Sequence, residues 1–141
     1  MRDEKIQLES DLVNLAKARD FIARKAQEAG ASETDITKIE ISCDEWSANI
    51  IEHALGSDEK RDFSIECTLD QDRFRVTFEN EGERFNPIEQ ENVDLDDHYS
   101  DSKERGLGIY IMKEMMDEIH YEYLPPGVNR LVLVKVLLPS G

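Results

Sequence analysis

Residues 45–53 read Glu45-Trp46-Ser47-Ala48-Asn49-Ile50-Ile51-Glu52-His53. They sit inside a longer helical pattern in which Ile36, Ile39, Cys43, Trp46 and Ile50 form an apolar stripe. Glu45, Asn49 and His53 recur every four residues, which puts them together on another side of the same helix. A carboxylate, an amide and an imidazole in one row have two readings. They can be the solvated face of an ordinary helix, or they can serve a metal and a proton transfer.

A second stretch, Arg105-Gly106-Leu107-Gly108-Ile109-Tyr110-Ile111-Met112, bears on that choice. The spacing predicts a helix from about Gly106 to Glu118, with Leu107, Ile111, Met112, Met115, Met116 and Ile119 as its apolar face. Two glycines at a helix start let the backbone approach a ligand closely. The free first-turn N–H groups and the helix dipole favour an anion there, and phosphate is the obvious one. The alternative is a tight turn into a packed helix. Two other phosphate signatures are missing: there is no Gly-x4-Gly-Lys-Ser/Thr run, and Ile111 stands where a dinucleotide loop would have its third glycine.

The rest of the chain supplies the frame. Residues 4–9 alternate like a short strand, and Ser10 or Asp11 is placed to cap a helix that Gly30 ends. Ser32-Glu33-Thr34-Asp35 is a capping-box pattern for the second helix, which Gly56 is expected to end. Residues 62–69 and 73–80 read as a hairpin turning at Asp70-Gln71-Asp72. Residues 119–124 and 130–138 read as two last strands around Pro125-Pro126-Gly127. Between Phe78 and Pro87 a strand end runs into Asn80, Glu81 and Gly82, where a polar side chain followed by glycine can face a ligand or open a loop. The order predicts an α/β two-layer sandwich, a mixed sheet with helices on one face, as a single domain over 1–141.

Composition narrows the function classes. The net charge is −15 with no clustered basic face, which argues against nucleic-acid binding. No apolar run reaches a membrane span, and the charged start Met1-Arg2-Asp3-Glu4-Lys5 leads into no signal core, so a cytoplasmic location is expected. Cys43 and Cys67 read as small core hydrophobes rather than as a disulfide or a metal site.

Taken in order, the three stretches resemble the Bergerat-fold ATP-binding superfamily, and within it most closely the short anti-sigma-factor serine/threonine kinases of bacterial partner switches. Glu45-x3-Asn49-x3-His53 is similar to the N-box of that branch, Phe78–Pro87 stands in the place of its Asp-x-Gly box, and Arg105–Met112 is similar to its second glycine box. The resemblance spans nearly the whole chain. It implies an ATP-dependent kinase that phosphorylates a small antagonist protein, binds a sigma factor and forms a homodimer. It implies Glu45 as general base and Asn49 as the Mg²⁺ ligand. It implies ATP contacts from Asn49, His53, Asn80, Gly82, Arg105, Gly106, Leu107 and Gly108, with residues 88–104 as the lid.

Three features depart from the family pattern, the first being that the Asp-x-Gly box lacks its usual second glycine, with Glu83 and Arg84 in that region. Asn80 replaces an adenine-binding aspartate, which turns a charge-assisted hydrogen bond into a neutral one at a cost of about 1–2 kcal/mol. Residues 81–104 hold nine acids against two bases, so the lid repels bare phosphates. Asn80 and the acidic lid favour an alternative, a non-catalytic partner-binding module of the same fold. A detached histidine-kinase domain would need a phospho-acceptor, and none of His53, His98 and His120 looks like one.

Overall fold

Alternation of apolar and polar residues turns one face of each strand inward. In the strand Arg73–Glu81, Phe74, Val76 and Phe78 are buried while Arg73, Arg75 and Thr77 are not, and the strand Val128–Val136 buries Leu131 and Leu133 in the same way. The computed structural model describes residues 1–55, 61–86 and 101–137, without the side chains of 53–55 and 101–107. Its elements are β1 (Glu4–Glu9), α1 (Asn14–Glu28), α2 (Glu33–Leu55), β2 (Asp62–Asp70), β3 (Arg73–Glu81), α3 (Asp101–Met115), β4 (Glu118–Leu124) and β5 (Val128–Val136).

The strands form one sheet in the order β1-β2-β3-β5-β4. The helices pack on one face through Ile22, Ile39, Trp46, Ile51, Ile109 and Met112, which meet Phe63, Ile65, Phe74 and Phe78 in a common core. The α/β sandwich is as expected, with one correction: every ladder is antiparallel, where a mixed sheet was expected. The reason is the placement of β5. It inserts between β3 and β4 and runs against both, so β3 and β4 point the same way without pairing.

Local chemistry explains the boundaries. Asp35 N–H donates to Ser32 Oγ at 3.1 Å, the expected cap of α2. Ser10 does other work: its hydroxyl accepts from Arg61 N–H at 3.1 Å and ties the end of β1 to the start of β2. Asp11 tightens the turn before α1 by accepting from Val13 N–H at 3.1 Å. Lys25 is buried between strand and helix, 2.9 Å from Glu28 and 3.5 Å from Glu4. The Glu28 bond raises its proton affinity against burial, and the same bond lowers that of Glu28. Cys43 and Cys67 are buried free thiols, as the sequence predicts; burial pushes Cys67 up to about 12. The outer sheet face carries ion pairs across its strands: Arg73 meets Glu118, and Arg130 lies 3.6 Å from Glu79 and 3.8 Å from Glu122.

The third helix departs from expectation at both ends. It begins at Asp101 rather than near Gly106. It ends at Met115 rather than Glu118. There Asp117 N–H turns to Val134 O at 2.9 Å and draws the chain into the sheet. Lys135, on the inward side of β5, donates to Met115 O at 2.8 Å and so caps the helix end with a cation. Gly56 and Pro87 lie outside the described residues, as does the expected lid except for 101–104, which are helical.

Replacing Lys135 by Met keeps the stem and strands the Met115 carbonyl. The expected outcome is a loss of about 1–3 kcal/mol in urea unfolding, partly recovered by Lys135→Arg.

Candidate functional site

The apolar stripe of α2 fixes its rotation. With Ile39, Cys43, Trp46 and Ile50 buried, Glu45 and Asn49, one turn apart, fall on one shoulder of the helix and are half-buried, while Asp44 turns toward α1. That shoulder meets α3. A Cβ built on Gly108 would overlap Glu45 Oε2 and stand 3.2 Å from its Cδ, so the Glu45 carboxyl lies directly on the glycine. Burial raises the Glu45 proton affinity from its ordinary value, and the charges of Asp44 and Glu52 add to the rise. Asp44 is itself held by Arg19, whose Nε reaches its two oxygens at 2.9 and 3.1 Å.

The other side of the site is the loop after β3. Trp46 stacks on Phe85, with ring centroids 5.7 Å apart. Phe85 N–H donates to Asn129 Oδ1 at 3.1 Å and lies 3.2 Å from the Tyr121 hydroxyl, which also donates to Asn129 Oδ1. Asn129 Nδ2 donates to Glu83 O at 2.9 Å, and Tyr123 OH donates to Gly82 O at 2.8 Å. Gly82 and Gly127 both have positive φ, 157° and 139°, and Gly82 N–H donates to Gly127 O at 3.1 Å. The β4–β5 hairpin thus clamps the loop, and the loop carries Phe85 onto α2.

The sequence-named residues divide as follows. Glu45 and Gly108 touch, and Asn49 follows Glu45 by one turn on the half-buried shoulder. Asn80 is half-buried beside Asn129 in the sheet register, and its Nδ2 donates to Glu81 O at 3.5 Å. Gly82 lies in the clamp. Arg105, Gly106 and Leu107 lie in α3 past its first turn, and His53 lies near the end of α2; their side-chain surroundings fall outside the described residues. The glycine pair therefore sits within the helix, not at its N-terminus as expected.

The sequence reading missed Trp46, Phe85, Tyr121, Tyr123 and Asn129. One signal was there to find: Asn129 shares the inward phase of Leu131 and Leu133, so it is a polar residue in a core position.

Among the described residues no group of three or more His, Cys, Asp or Glu side chains forms a metal cage. A lone amide oxygen such as that of Asn49 fits Mg²⁺ of a different kind, one that keeps waters and takes its remaining oxygens from phosphates. No described helix is long and apolar enough to cross a membrane.

Residues 8–135 match the histidine kinase-like ATPase domain family. The chain belongs to that family. Among curated relatives, the serine-protein kinase RsbW of Bacillus velezensis is 28% identical over 120 residues, covering 82% of this chain and 73% of the relative. RsbW of Bacillus subtilis strain 168 is 30% identical over 102 residues, covering 69% and 63%. The anti-sigma F factor of Clostridium novyi is 23% identical over 133 residues, covering 94% and 93%. In fold, the chain is similar to the solved RsbU and RsbW domains of Rv1364c from Mycobacterium tuberculosis, with a TM-score of 0.69 at 17% identity. That match covers 97% of this chain and 33% of the other. Membership of this ATPase family, on the anti-sigma kinase branch, agrees with the resemblance read from the N-box and glycine box.

The raised Glu45 proton affinity has a definite sign. The folded chain binds this proton more tightly than the unfolded chain, so stability falls as pH rises from the ordinary carboxylate range through the raised folded value. Glu45→Gln removes that decline. Urea melts are expected to show the variant gaining on the wild type as pH rises above about 4, the ordinary carboxylate value; parallel curves would mean that the carboxyl is not desolvated. Separately, Asn129→Leu removes the clamp and is expected to lower stability by about 1–3 kcal/mol.

Proposed function

We propose that this chain is an ATP-dependent serine/threonine protein kinase of a partner-switching pathway. The observation that carries the proposal is the Glu45 carboxyl, half-buried against Gly108 one turn before Asn49, with a raised proton affinity. A general base works best when its proton affinity is tuned upward toward the working pH. Phosphoryl transfer asks little more of a protein than positioning and charge neutralisation.

In this reading the hydroxyl oxygen of a serine or threonine on the partner attacks the γ-phosphorus of ATP. The bond to the bridging oxygen breaks, its electron pair leaves with ADP, and the hydroxyl proton passes to Glu45. Asn49 holds Mg²⁺, which when bound supplies positive charge to the nucleotide phosphates. Asn80 faces the adenine, and the clamped loop with Phe85 keeps Trp46 in place beside the base. Arg105, Gly106, Leu107, Gly108, Gly82 and His53 complete the nucleotide contacts proposed from the family pattern. The substrate is a small antagonist protein, the second partner a sigma factor, and the assembly a homodimer in the cytoplasm; the relatives' names, a serine-protein kinase and an anti-sigma F factor, support the kinase activity and the sigma-factor partner.

The single tryptophan, Trp46, lies in the site and gives a direct readout. Mg·ATP is expected to change its fluorescence with micromolar affinity, and Asn49→Ala to abolish the change. Glu45→Gln is expected to bind nucleotide normally and lose about 10²–10⁴ in transfer rate. No fluorescence response or calorimetric heat up to millimolar nucleotide would favour the non-catalytic module, with Asn80 as its cause.

A further inference from the structure

Gly108 lies in the body of α3 and is not among the described glycines with positive φ. Backbone conformation therefore does not call for glycine at this position, and helix propensity argues against it. A side chain at this position would have to displace the Glu45 carboxyl. The three atoms nearest to a Cβ added there are Oε2, Cδ and Cγ of Glu45, the last at 3.8 Å. They are one carboxyl group and its stem, brought in from another helix. The side of Gly108 that a methyl would fill is filled by Glu45, so that side is closed to a phosphate.

We propose that Gly108 is a positioning residue for phosphoryl transfer: by lacking a side chain it forms the seat on α3 in which the Glu45 carboxyl lies. The proposal rests on reading Glu45 as the base and assigns Gly108 a role apart from holding phosphates. The seat also excludes water from one side of the carboxyl, in keeping with its burial-raised proton affinity. A residue with a Cβ would push the carboxyl off the seat, and small displacements of a base are costly to rate.

Two measurements on the full chain test the seat. The first is an unfolding cycle. In the wild-type background Gly108→Ala is expected to lower the urea midpoint, because the methyl collides with Glu45. In a Glu45→Ala background the same change is expected to raise it, because alanine is the better helix former. The same sign in both backgrounds overturns the seat.

The second measurement is kinetic. Gly108→Ala is expected to lower kcat about 100-fold while KM for Mg·ATP stays within roughly threefold. Glu45→Asp shortens the side chain by one methylene. Alone it is expected to reduce kcat, yet added to Gly108→Ala it is expected to restore about tenfold. A rise in KM that accounts for the whole loss, or a double variant no faster than Gly108→Ala, overturns the positioning role. A wild type that transfers no phosphoryl group overturns the kinase reading alone, and the unfolding cycle then still decides the seat.

Discussion

The rotation of α2 about its own axis governs this domain. One stripe of the helix, through Ile39, Cys43, Trp46 and Ile50, must be buried on the sheet, and close packing leaves little freedom in how it does so. Once the stripe is down, Glu45 and Asn49 are carried to the shoulder that faces α3. The core thus sets the direction in which these side chains leave the helix, and the partial burial of Glu45 against Gly108 follows from that rotation.

The sheet order imposes a second constraint. With β5 inserted between β3 and β4, the end of β3 lies beside the β4–β5 hairpin, and Asn80 is in register with Asn129. The loop that leaves β3 at Gly82 therefore starts among hydrogen-bonding groups of another part of the chain. Tyr121, Tyr123 and Asn129 satisfy its backbone, and the paired glycines at 82 and 127 let the two backbones approach to a hydrogen bond. Buried polar groups of this kind favour one arrangement because the alternatives leave donors unpaired. Phe85 reaches Trp46 as a consequence, and the two ends of the site, one from each half of the sequence, meet at an aromatic stack.

This explains what could be read in the sequence. The stripe of α2, the inward phase of β2 and β3, and the row of Glu45, Asn49 and His53 are short-range periodicities, visible in a window of a dozen residues. So are the Ser32 cap and the glycine pair. The antiparallel direction of β5 against β3 is different, because it depends on a non-local pairing across α3 and β4. The start of α3 was hidden because Asp101–Glu104 belong to an acidic stretch without hydrophobic period. The contact between Glu45 and Gly108 is between residues more than sixty positions apart. The sequence offered one reason for the glycine, a phosphate at a helix N-terminus, and the seat for Glu45 proposed above is a second, which no short window of sequence could show.

The charge around Glu45 follows from the same arrangement. Asp44 stands next to it, and an unpaired carboxylate there would raise the Glu45 proton affinity further by repulsion. Arg19 of α1 takes both Asp44 oxygens, and that bond is the main reason the guanidinium holds its proton more tightly than usual. What remains is burial as the leading cause and repulsion as the lesser one. A proton affinity raised by burial lasts only while the carboxyl stays packed, whereas one raised by repulsion would fade with salt. In a chain of net charge −15, a polyphosphate approaching this shoulder meets a repulsive field. The proposed site therefore favours a nucleotide that arrives with its divalent cation already bound, so that cation and nucleotide act on this protein as one ligand.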